Sequence, residues 1–166
     1  MQHDGRARDL MIAGLKNAYG LEQQAIAMLE ANAKRLENYP ALRERIAAHA
    51  QESRRQQERV AETLERYGES PSQAKAAVMG FAESVQAMVH SLASDEVLKN
   101  SFTGYAFEHF EIASYRALAE MAKAAGEQPV VELAQAILRE EEEMAAFLAD
   151  HLPEVVRRHI ETGHKA

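Results

Sequence analysis

The chain has 166 residues, 46% of them apolar, with few Pro and Gly, which bounds it to a single mostly helical domain (residues 1–166) large enough for a substantial core. A net charge of −7 with no block of Lys or Arg argues against a nucleic-acid partner, and the lack of Cys excludes disulfides, thiolate metal sites and a Cys nucleophile. The opening "MQHDGRARDLMIAGLK" holds no apolar run of secretory-signal length and nothing approaches a membrane span, so a cytoplasmic location is expected, with no membrane partner.

Five helical segments and no strand are predicted. The first covers about 7–37, with Met11, Leu15, Ala18, Glu22, Ala25, Leu29, Ala33 and Leu36 on one stripe, and "ENYP" stops it. The second, about 41–67, places Leu42, Ile46, His49, Glu52 or Ser53, Gln56, Val60 and Leu64 on one face before Gly68 ends it. "ESPSQ" links to a middle helix over 71–93, with Ser70 as N-cap, Pro71 at the first helical position and Gln73 closing a capping box. The fourth, about 95–125, carries Phe102, Tyr105, Glu108, Ile112, Tyr115, Ala119 and Ala122 on its stripe, and "GEQP" ends it. The fifth, about 130–151, carries Val130, Ala134, Ile137, Glu141, Met144 and Leu148; Pro153 is expected to stop it and a short terminal helix to follow. Short turns make the first two helices, and the last two, antiparallel neighbours. Two hairpins joined by one long helical crossover predict an all-α four-helix bundle of ferritin-like topology, with a simple up-down bundle carrying an added fifth helix as the rival.

The two hairpins are related in sequence. Tyr19, Glu22 and Ile26 lie 86 residues before Tyr105, Glu108 and Ile112, and Pro40 and Glu52 lie 89 before Pro129 and Glu141. The repeat therefore pairs Glu22 with Glu108 and Glu52 with Glu141. The midpoint of each intra-hairpin pair falls beside its turn, so all four carboxylates are expected at one height. Glu111, one turn past Glu108, joins them on the same face.

Carboxylates on a core stripe are costly unless something compensates their charge. The stripes offer no good Lys or Arg beside them. Divalent cations would satisfy both charge and oxygen geometry, so Glu22, Glu52, Glu108, Glu111 and Glu141 are candidate ligands of two metal ions. His49, three residues before Glu52, is the one imidazole placed to join them; Gln56, Tyr19, Tyr105 and His109 are candidates for a ligand or for a group that orients one.

The phrases "GLKNAYGLEQQ", "HAQESRRQQERV", "FEHFEIASYRAL" and "ILREEEE" resemble di-iron ferritin-like proteins, most closely the bacterial stress-associated YciF/YciE-like family, over roughly residues 8–150. The resemblance implies two ions, iron or alternatively manganese, ferroxidase or peroxide-related chemistry with oxygen or peroxide, a stress role and a homodimer. Ferritin-like sites usually read Glu-x-x-His on the second helix of each hairpin, whereas Arg55 and Met144 stand there in this chain. The YciF-like pattern tends to a His, Gln or Asp one residue later, met here by Gln56 but not by Ala145. These departures support a second reading, a metal-free helical bundle serving as a dimerisation or binding module.

Overall fold

The computed structural model describes residues 2–70 and 96–163. Four helices make up the bundle: α1 (Gln2–Arg35), α2 (Pro40–Arg66), α3 (Glu96–Ala125) and α4 (Gln128–Gly163). The expected middle helix over 71–93, its capping box and the crossover it would form lie outside the described residues.

Helix ends follow local chemistry. Pro40 occupies the first position of α2, where its missing N–H costs nothing, and Tyr39 supplies the first accepting carbonyl, 2.9 Å from the Arg43 N–H. At the other end of α2 the Glu69 N–H reaches back to the Leu64 carbonyl (3.0 Å) and the Gly68 N–H to that of Glu65 (2.9 Å). The same two bonds recur at the end of α3, from Glu127 to Ala122 (2.9 Å) and from Gly126 to Lys123 (3.1 Å). Gly68 and Gly126 have φ of +76° and +73°, the left-handed conformation this ending requires.

The helices form two antiparallel hairpins, α1–α2 and α3–α4, with α1 packed closely along α3 and α2 less closely along α4. Both cross-hairpin pairs are also antiparallel. Gly14 of α1 faces Leu118 of α3, while Leu29 and Leu36 share a small cavity with Val97 and Gly104. Tyr67, past the end of α2, donates to Glu127 at the start of α4 (2.8 Å), and Leu42 lies by Val155.

One boundary departs from expectation. Pro153 does not stop the last helix, which continues to Gly163, so the separate terminal helix is the far end of α4. Proline removes one intrahelical hydrogen bond and crowds the preceding turn. Contacts beyond it outweigh that cost: Val155 is buried, and Arg158 donates to the Asn38 carbonyl (2.6 Å) and lies 5.2 Å over the Tyr39 ring.

The core comes in two apolar blocks. One contains Met11, Leu15, Val60, Leu64, Leu118 and Ile137; the other contains Leu21, Leu29, Leu42, Ile46, Phe107 and Met144. Each fully buried Leu or Ile contributes about 1.5–3 kcal/mol relative to exposure. Between the blocks lies a layer of buried polar side chains.

Candidate metal centre

Each helix contributes to this layer: Glu22 from α1; His49, Ser53 and Gln56 from α2; Glu108 and Glu111 from α3; Glu141 from α4. All are 0–1% exposed. Glu22, Glu108 and Glu141 lie on the stripes that the periodicity predicts. Glu111 enters because three residues of α3 carry it back to the same face one turn on.

On α2 the structure differs from the spacing argument. Glu52 is turned to the rim with its side chain 28% exposed, and His49 and Ser53 take the inward positions. Glu52 Oε2 lies 2.7 Å from His49 Nδ1 and 3.0 Å from Arg45 Nη1. Helix phase explains the difference: His49, Ser53 and Gln56 follow one another at four and three residues, and Glu52 falls one residue to the side.

The imidazole faces two carboxylates. His49 Nε2 is 3.2 Å from Glu108 Oε2 and 3.2 Å from Glu141 Oε2. These are ion-pair distances, yet Nε2 and both oxygens lack an aligned hydrogen-bond partner. His49, Glu108 and Glu141 present one donor atom each, all within 4.8 Å of one another. Glu141 is held from its other side, where Gln56 Nε2 donates to Oε1 (2.5 Å) and also to Glu140 Oε2 (2.8 Å). Arg59 completes that chain at 2.6 Å from Glu140, running from the surface to the core in the gap between α2 and α4.

Glu22 and Glu111 form the other side of the layer. Tyr115 donates its hydroxyl proton to Glu22 Oε1. Glu22 Oε2 and both oxygens of Glu111 are buried without a hydrogen-bond partner among the described residues. Buried polar atoms are normally hydrogen-bonded, so this many orphaned acceptors in one layer suit the binding of a cation or of protons.

The electrostatics agree. Burial drives Glu22 and Glu111 well above the usual carboxylate range, and neighbouring Glu141 adds repulsion to each. Burial likewise raises Glu108 to about 7, against the opposing pull of His49. Burial disfavours charge on His49, but contacts with Glu108, Glu141 and Glu52 outweigh it and push the ring up to about 12. The His49 contact lowers Glu52 to about 2, with Arg45 assisting. Tyr115 is pushed well above its ordinary value by burial and by the Glu22 charge, so it is a firm proton donor.

The remaining candidates lie away from the donor atoms. Tyr19 and Tyr105 are half-buried and pack against opposite apolar blocks. His109 is exposed, its ring edge-on to Tyr105 at 4.6 Å between centroids. Arg55 is exposed, and Met144 and Ala145 are buried in positions that offer no hard donor.

Comparison with known proteins places the chain in a family. The family described as a domain of unknown function (DUF892) matches residues 6–161. A crystal structure of a protein from Xanthomonas campestris pv. campestris is 36% identical with a TM-score of 0.81, over 96% of this chain and 99% of that one. The E. coli stress protein YciF is 25% identical with a TM-score of 0.74, over 91% of this chain and 97% of its own. YcfI from Rhodopseudomonas palustris, at 24% identity and a TM-score of 0.70 over 86% of this chain and 92% of its own, shares the fold.

Proposed function

We propose, since this chain belongs to the DUF892 family and gathers His49, Glu108 and Glu141 in its core, that it is a metal-binding helical bundle of the ferritin-like kind. The observation that carries the reading is that triad: one imidazole and two carboxylates, fully buried, with donor atoms close together and without aligned partners. Imidazole with carboxylates suits a first-row transition metal better than calcium or magnesium. Glu22 and Glu111, with their orphaned oxygens and their electrostatic coupling to Glu141, would hold a second ion with oxygen ligands. Two ions are therefore proposed, iron first and manganese as the alternative.

Bound Fe(II) would supply electrons for the reduction of oxygen or peroxide, the ferroxidase or peroxide-consuming chemistry we assign to a stress role. The name of the E. coli relative as a stress protein supports that assignment. The chain's own residues prepare the site. Gln56 fixes one oxygen of Glu141, Tyr115 fixes one of Glu22, and the apolar blocks exclude bulk water from either side. Carboxyls that hold protons when metal-free would release them as cations enter, so loading is coupled to pH.

The test is metal content after anaerobic Fe(II) loading and desalting, for wild type, Glu108→Ala and His49→Ala. About two irons per chain in the wild type and a loss in both variants support the reading. No retained metal in the wild type would overturn it and favour the metal-free dimerisation or binding module.

A further inference from the structure

Three residues of α2 connect solvent to the triad. Arg45, His49 and Glu52 lie on one helical face at spacings of four and three, and their contacts run in order: Arg45 Nη1 to Glu52 Oε2 at 3.0 Å, Glu52 Oε2 to His49 Nδ1 at 2.7 Å, and His49 Nε2 to Glu108 and Glu141 at 3.2 Å. A neutral imidazole carries its one proton on either nitrogen, and the other nitrogen is the one free to bind. A carboxylate 2.7 Å from Nδ1 settles the choice by accepting that nitrogen's proton, so a cation that displaces the other ring proton would meet Nε2, which lies between Glu108 and Glu141.

The internal repeat shows why Glu52 has this place. Its counterpart Glu141 enters the core. The positions equivalent to Arg45 and His49, 89 residues on, are Ala134 and Leu138, which offer neither imidazole nor cation. One hairpin therefore presents its carboxylate to the layer directly, and the other presents an imidazole with the carboxylate behind it.

We propose that Glu52 is a positioning residue rather than a ligand, and that with Arg45 it fixes the His49 tautomer so that Nε2 binds the metal. This rests on the metal reading above, and the experiment separates the two. Co(II) alone is the probe, titrated into wild type, Glu52→Ala, Glu52→Gln and, as a control at an exposed carboxylate, Glu142→Gln. Alongside, the imidazole N–H protons of ¹⁵N-histidine-labelled protein are recorded without metal, with the His49 signal assigned through His49→Ala.

Glu52→Ala is expected to lose about 10- to 100-fold in Co(II) affinity. Glu52→Gln should recover most of it, because its side-chain carbonyl still accepts from Nδ1–H. The ligand-field bands of the Co(II) protein should stay in place in both variants. Bands that move in Glu52→Gln, with affinity as poor as in Glu52→Ala, would make Glu52 a ligand and overturn the proposal. Unchanged affinity in Glu52→Ala would overturn it as well. Should the wild type bind no Co(II), the metal reading fails with the proposal's metal half, and the proton spectrum decides the positioning half. A hydrogen-bonded Nδ1 proton present in wild type and Glu52→Gln but lost in Glu52→Ala upholds it; the same signal in all three rejects it.

Discussion

Glu108 gives the most direct test of how the layer behaves without metal. Its carboxyl is 1% exposed and raised from 4.5 to about 7, mainly by burial. A raised carboxyl contributes stability that is fully present below its unfolded pKa and is lost as pH rises through the folded one. Taken from pH 5 to pH 8, a shift of this size costs about 2–3 kcal/mol. In a chain of this length that corresponds to a fall in Tm of roughly 5–10 °C. His49, also raised, acts in the same direction, losing its contribution above pH 6.5. Glu108→Gln keeps the shape and removes the titration. Thermal melts in chelator at pH 5, 6, 7 and 8 should therefore show a profile flatter by about that amount in the variant. Parallel profiles for the two proteins would refute the assignment of a buried, proton-holding carboxyl at 108.

Other expectations concern single contacts. Tyr115→Phe removes the one donor to buried Glu22 among the described residues and should cost about 1–3 kcal/mol in urea unfolding at an unchanged slope; a neutral result would mean that Glu22 finds another partner. Ile137→Ala opens space in a fully buried position of the first apolar block, and calorimetry should report a loss of about 2–5 kcal/mol. Gly126→Ala forces a side chain into the left-handed conformation and should cost about 1–2 kcal/mol by the same assay. If it costs nothing, the ending of α3 is not as described.

Much of the fold could be read from periodicity because the stripes are long and the stops are strong. "ENYP", Gly68 and "GEQP" mark helix ends within a few residues, since each sets a backbone conformation that a helix cannot continue through. Pro153 reads as a stop from its local penalty, but the contacts of Val155 and Arg158 that carry the helix past it exist only in the folded chain. In the layer, Glu22, Glu108 and Glu141 were legible through the repeat. The same repeat points Glu52 toward the core like Glu141, whereas a rotation of one residue on α2 turns His49 and Ser53 inward and Glu52 to the rim. The signal that finds His49 is present in sequence, as Arg-x-x-x-His-x-x-Glu on one face. It competes with the stronger expectation that paired positions do the same thing. The Gln56–Glu140–Arg59 chain had no sequence signal, because it depends on the spacing between α2 and α4.

A polar layer bracketed by two apolar blocks also bears on how such a protein can change over time. Cohesion resides at the two ends of the bundle, and chemistry resides in the middle. If the layer holds metal as proposed, substitutions at 22, 49, 56, 111 or 141 would change which ion it takes while the ends keep the helices in register. One scaffold could then serve several chemistries through a handful of exchanges in a single slab of the molecule.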